Sequence, residues 1–145
     1  MKIKTTRFGE IEFPDDEILT FSEGLIGFED KKKFVLLPTQ ETSPLFWLQS
    51  IEDPDLGFIV AEPWTFVEDY EFELPGETKE KITIEKEEDV RVLCLVVIPE
   101  NPEMATMNLK GPIILNLPKR QGQQVVLSED YSTKHRIFKK KTASA

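Results

Sequence analysis

Reactive and metal-ligating side chains are scarce in this sequence. It has one histidine, His135, and one cysteine, Cys94. A structural zinc site needs several clustered His or Cys ligands, so none is expected. A nucleophilic triad needs a base held against a serine or cysteine. His135 instead sits among Lys134, Arg136 and Lys139 to Lys141, a run expected to be solvated. The seven glycines are scattered singly and form no phosphate-cradling loop; that spacing suits turns and bulges. Asp53-Pro54-Asp55 lacks the glycine and distal glutamate of a calcium loop and reads as a turn. Two carboxylates at the right separation can hydrolyse a glycoside. With 27 acids in the chain, however, closeness of some pair carries little meaning. The expectation is therefore no enzyme, no cofactor and no metal.

The abundant chemistry is negative charge. The chain carries −9, and the last twelve residues hold five bases and no acid. That leaves 13 bases against 27 acids, or −14, on residues 1–133. A body so acidic repels phosphate backbones, whose binding rests on Lys and Arg neutralisation. It attracts and steers a basic protein instead. The charge peaks between Glu62 and Asp89, where 11 acids face three lysines, a local −8. Glu68, Asp69, Glu71 and Glu73 fall within six residues. This stretch reads either as a solvated outer face or as a landing surface for a basic partner, whose pull salt would screen beyond about 8 Å.

Strand signals dominate the elements that must position these groups. Ile11 and Phe13 alternate with polar residues behind a predicted hairpin turn at Phe8-Gly9-Glu10. Tyr70, Phe72 and Leu74 alternate with Glu71 and Glu73, which predicts a strand with its carboxylates in water. Further strands are predicted at 34–37, 45–48, 58–60, 90–98, 113–115 and 125–127, each bounded by turn residues. Such spacing suits a sandwich or a closed barrel. Ten prolines disfavour long helices. Short helical turns are expected at 63–69 and 77–82, and the basic C-terminal stretch is expected to be helical or frayed.

The 145 residues suit one domain that buries roughly two-thirds of the surface its unfolded chain exposes. The expected division is a β domain over 1–138 and a basic, disordered tail over 139–145. One cysteine, no N-terminal apolar segment, and a longest apolar run of only Val92 to Ile98 predict a soluble, cytoplasmic protein.

Four segments in order carry a resemblance. They are Phe21-Ser22-Glu23-Gly24-Leu25-Ile26-Gly27-Phe28; Pro44-Leu45-Phe46-Trp47-Leu48-Gln49-Ser50 with Phe58-Ile59-Val60-Ala61-Glu62-Pro63; Thr106 to Asn116; and Gly122-Gln123-Gln124-Val125-Val126-Leu127, ending near Tyr131. Together they resemble the flagellar assembly factor FliW family over about residues 3–138. Gly111-Pro112 stands where the family usually has Ala-Pro. The resemblance implies an all-β, mainly antiparallel, compact barrel-like domain with short helical turns. It implies two protein partners: flagellin and CsrA, a small basic RNA-binding dimer that represses flagellin translation. Abundant flagellin would occupy the chain and leave CsrA free to repress; exported flagellin would release the chain to capture CsrA.

The candidate partner-binding residues are Trp64, Glu68, Asp69, Glu71, Glu73, Asn108 and Asn116. Trp64 follows Pro63 outside a clear strand, where a partly exposed indole beside acids would make an interface anchor. Asn108 and Asn116 match the family pattern, yet each also suits a turn or a bond to backbone amides. Trp47 and Leu109 match it too and read more readily as packing residues. Flagellin would dock elsewhere, on an apolar groove or by adding a strand or helix. Two other readings compete: an OB-like module that binds single-stranded nucleic acid, which the −14 body opposes, and a small-molecule-binding barrel with a deep polar-lined pocket.

Overall fold

The computed structural model describes residues 1–39 and 43–138. The tail at 139–145 lies outside the described residues. A two-stranded hairpin joins β1 (Lys2–Thr5) to β2 (Gly9–Glu12). The larger sheet holds β3 (Leu19–Thr20), β4 (Lys33–Pro38), β5 (Leu45–Ser50), β6 (Gly57–Ala61), β7 (Val90–Val97), β8 (Thr106–Met107), β9 (Ile113–Asn116), β10 (Gln121–Gln124) and β11 (His135–Arg136). One short helix, α1 (Gly76–Lys81), lies between β6 and β7. The class is all-β. Among the described residues, every strand pairing is antiparallel except β10 with β3.

The pairings close on themselves. The order β7-β6-β5-β4-β3-β10-β9 returns to β7 through Val90↔Asn116 to Leu93↔Ile113. A ring of this kind satisfies strand edges that an open sheet would leave bare. β7 makes the closure possible because it is long: its first half pairs with β9, and its second half pairs with β6 on one side and β8 on the other.

Strand alternation then sorts the apolar residues into two cores. One fills the ring, with Leu19, Phe21, Phe34, Leu48, Val60, Leu93, Ile113 and Leu115. Phe21 meets Phe34 edge-on at 5.5 Å and lies across Gly122, where an added Cβ would come within 2.5 Å of its ring. The other core lies outside the wall and holds Val92, Cys94, Val96, Met107 and Ile114, covered by segments 62–86 and 125–137. β9 and the stretch Val92 to Val96 of β7 are largely buried on both faces, which is why they read as apolar runs.

Several local expectations shift. The first hairpin forms, but its turn is Thr6 to Phe8; Gly9, at φ 69°, already pairs with Thr5. The Thr5 hydroxyl accepts from the Phe8 N–H at 2.8 Å and donates to the Gly9 carbonyl at 2.9 Å, which tightens that turn. The strand expected at 125–127 falls instead on the polar run Gln121 to Gln124, because that run has β9 and β3 as neighbours. Residues 125–127 keep the alternation, with Val125 and Leu127 buried and Val126 exposed. The helical turn expected over 63–69 shrinks to one 3-10 turn at Pro63–Thr65. The basic stretch is not helical where described: His135 and Arg136 pair with β8.

The strand expected at 70–74 does not form a ladder. Its burial alternates as foreseen, with Tyr70, Phe72 and Leu74 turned inward and Glu71 and Glu73 outward. Among the described residues, no neighbouring strand pairs with it. Side chains do so instead, and they shape the site described next.

Candidate functional site

Segment 62–86 straps the outer core to the ring, held largely by individual side chains. At its start, Arg91 of β7 donates to Glu62 at 3.0 Å. Trp64 follows on the 3-10 turn. Its indole N–H donates to the Tyr70 carbonyl at 2.7 Å, and its ring lies 5.8 Å from the Tyr70 ring. The polar tip is thus satisfied internally while the residue stays 43% exposed.

Tyr70 is the central rivet. It is 3% exposed, and its hydroxyl donates to the Leu109 carbonyl at 2.7 Å. Burial holds its phenol far above the ordinary range. Burial also pushes the Cys94 thiol up to about 12, which makes Cys94 a small packing residue rather than a nucleophile. Tyr131 stacks edge-on against Tyr70 at 4.7 Å and reaches the next residue. Its hydroxyl accepts from the Glu71 N–H at 2.9 Å and donates to the Glu71 carbonyl at 2.7 Å. The Glu129 carboxylate accepts from the Glu73 N–H at 3.0 Å. Backbone donation from Glu73 and from Glu129 itself holds the Glu129 carboxyl below the usual carboxylate range. Two side chains therefore pair with one edge of an extended segment, where a neighbouring strand would ordinarily sit.

The far end of the strap is fixed from beneath by Asn116. Only 2% exposed, its amide donates to the Ile82 carbonyl at 2.7 Å and the Thr83 carbonyl at 2.9 Å. Thr83 lies at φ 56°, a left-handed conformation that β-branched residues rarely adopt, so the clamp holds a strained turn. Lys81 adds an exposed tie, 2.5 Å from Glu23 and 2.8 Å from Glu77.

Between residues 70–74 and 84–90 runs a groove of about 630 Å³. Trp64, Phe72, Leu74, Ile84, Val90 and Val92 supply its apolar lining. Glu71, Glu73 and Glu87 contribute carboxylates against the single ammonium of Lys79. Of the candidate residues, Trp64, Glu71 and Glu73 thus meet in one groove. Glu68 and Asp69 are exposed on the turn just before Tyr70. Asn108 lies apart: its side chain accepts from the N–H groups of Lys110 at 3.1 Å and Gly111 at 2.9 Å, closing a turn. Gln124 buttresses that turn, donating to the Gly111 carbonyl at 3.0 Å and accepting from the Ile26 N–H at 3.0 Å. Trp47 is half-buried on the outer wall against Gly57, with the Arg7 guanidinium 4.8 Å from its ring; Leu109 is buried in the outer core. Sequence reasoning missed Tyr131 and Glu129 as organisers of the strap. Their only signal was that each carries a hydrogen-bonding tip beyond the last apolar run.

A second surface feature is wholly apolar. Leu45, Phe66, Ile98, Ala105, Ile137 and Phe138 help line a cleft of about 290 Å³. Val97 and Met104 are exposed in the segments that flank it.

The family of FliW proteins matches residues 2–137. The chain belongs to the FliW family. The flagellar assembly factor FliW of Natranaerobius thermophilus is 44% identical over 140 residues, covering 95% of this chain and 93% of the relative. That of Caldicellulosiruptor saccharolyticus is 42% identical over 137 residues, covering 94% and 90%. A Geobacillus relative is 41% identical over 144 residues, covering 99% of both. A crystal structure of the flagellar assembly factor FliW superposes with a TM-score of 0.92 at 38% identity, over 98% of this chain and all of the other. The resemblance carried by the four segments is therefore a family membership, and the FliW fold is all-β as expected.

Proposed function

We propose that this chain is a cytoplasmic flagellar assembly factor that works by binding proteins, with no bond-making step. It captures the translational regulator CsrA, antagonises CsrA's RNA binding and repression of flagellin synthesis, and exchanges CsrA for flagellin. The observation that carries this reading is the strap: an exposed tryptophan and an apolar groove set among Glu68, Asp69, Glu71 and Glu73. The apolar lining supplies affinity, and the carboxylates supply steering toward a basic partner.

The same carboxylates account for antagonism of RNA. Held beside a phosphate-binding surface, they make the approach of a polyanion unfavourable without plugging the site. Such coupling is reciprocal: RNA on CsrA weakens the chain's binding by the factor by which the chain weakens RNA. Asn116 serves this surface from below by fixing the turn at Thr83, whereas Asn108 fixes a turn apart from it. Flagellin takes the apolar cleft around Ile98 and Phe138, a surface without carboxylates in its lining and hence of different chemistry.

The OB-like alternative would bring a polyanion to a −14 body, and the small-molecule alternative wants a pocket where Phe21, Phe34, Leu48 and Leu93 are fully buried. Size-exclusion chromatography of the chain with purified CsrA, with and without labelled RNA, tests the proposal. A complex is expected, weakening as salt rises, and the chain alone leaves RNA unshifted. Absence of any complex at low ionic strength contradicts the proposal.

A further inference from the structure

Segment 71–74 has two backbone edges, and among the described residues only one of them is occupied. The Tyr131 hydroxyl takes both the N–H and the carbonyl of Glu71, and Glu129 takes the N–H of Glu73. Both polar groups of residue 71 thus point to one side, as in a β-strand, and residue 73 points the same way. The groups of residues 72 and 74 then point to the other side. Among the described residues, nothing accepts from the Phe72 or Leu74 N–H. That free edge runs along the 630 Å³ groove, whose size lies in the range of about 300–1,000 Å³ typical of clefts that hold ligands.

We propose that an extended, basic segment of a partner protein lies in this groove and pairs as an added strand with the free edge of residues 71–74. Alternate apolar side chains of that segment rest on Phe72, Leu74, Ile84 and Val92; the intervening Lys or Arg side chains meet Glu71, Glu73 and Glu87. Main-chain bonds give affinity in such an arrangement, and the alternating side chains give specificity. The charge selects the occupant. Free sheet edges invite indiscriminate pairing, and charged side chains on them suppress it. Glu71 and Glu73 oppose a second copy of this acidic segment, because like charges directly opposite destabilise a strand pair. They favour a strand with lysine or arginine at alternate positions. The groove is also preformed: Asn116 holds the turn at Thr83 that leads into its Ile84 wall, and Tyr131 holds the wall opposite.

This inference deepens the reading of the strap as the docking face for CsrA and rests on it, so the test keeps the two apart. The probe is a capped eight-residue peptide alternating lysine and valine, titrated at low ionic strength into the full-length chain. Two further peptides carry N-methyl groups, one on every lysine amide and one on every valine amide, so that each blocks a single backbone edge. The expected result is saturable binding that falls by roughly tenfold or more for at least one methylated peptide. Slower hydrogen exchange is expected at the Phe72 and Leu74 amides when the parent peptide binds. Equal binding of all three peptides, unchanged exchange at those two amides, or no binding at all overturns the inference. In parallel, the variant with Glu71→Lys and Glu73→Lys is tested against CsrA. Both side chains are exposed and only their backbones are tied down, so the variant keeps its fold. If CsrA binding falls in that variant while the peptides give any overturning result, the docking face stands and the added strand does not. If CsrA binds the parent and the variant equally, the docking reading fails, whatever the peptides show.

Discussion

The two cores of this protein are built by opposite means. The ring interior is enclosed by backbone ladders, and most of its residues sit on strands that pair on both sides. The outer core is covered by a strap whose attachments are single side chains: Tyr70, Tyr131, Glu129, Asn116 and Arg91. A ladder spreads its stability over many equivalent bonds. A riveted strap concentrates it in a few, so each rivet controls the position of a stretch of surface. The proposed partner exchange suits the second kind of construction, because a region opened by losing a few bonds responds to a ligand more readily than a closed ring does.

That contrast is testable, beginning where the effect is largest. Phe34→Ala empties the ring interior and should cost about 3–5 kcal/mol in urea unfolding, lowering the whole transition. Asn116→Ala removes two bonds to the carbonyls of the strained turn. It should cost roughly 1–3 kcal/mol, with hydrogen exchange accelerating first over 76–84. Tyr131→Phe deletes only the hydroxyl that holds Glu71. It should cost about 0.5–1.5 kcal/mol, speed exchange at the Glu71 amide and leave the β4 to β6 amides unchanged. Equal acceleration throughout the ring would mean the strap is not a separate unit.

The smallest effect is a pH effect. The Glu129 carboxyl sits below its ordinary value when folded, so its contribution is fully present above the unfolded value of about 4.3. It is lost as pH falls through the lower folded value. Exchange at the Glu73 amide, corrected for its intrinsic pH dependence, should lose protection in that acid window, and Glu129→Gln should flatten the response.

The same contrast decides what was legible beforehand. β9 and the centre of β7 announced themselves because burial on both faces demands an apolar run. The alternation of Tyr70 to Leu74 also showed which side chains turn inward, but not that the segment lacks a partner strand; periodicity reports burial, whereas a ladder depends on what lies alongside. β10 was hidden for the converse reason. Gln121-Gly122-Gln123-Gln124 has no apolar pattern, and its strand conformation comes from β9 and β3 on either side, with Gly122 leaving room for Phe21. The two-residue strands β3, β8 and β11 are likewise set by neighbours distant in sequence. Within the site, the acids and Trp64 stood out by charge and context. Tyr131 and Glu129 did not, since a hydrogen bond across 56 to 60 residues leaves no local trace.

The most direct measurement is amide hydrogen exchange of the chain alone and saturated with CsrA, read residue by residue. Slower exchange over 64–74, with the ring strands β4 to β6 unchanged, is the predicted outcome. Protection that appears only around Ile98 and Phe138, or none anywhere under saturating CsrA, would contradict the assignment of the acidic strap as the docking face.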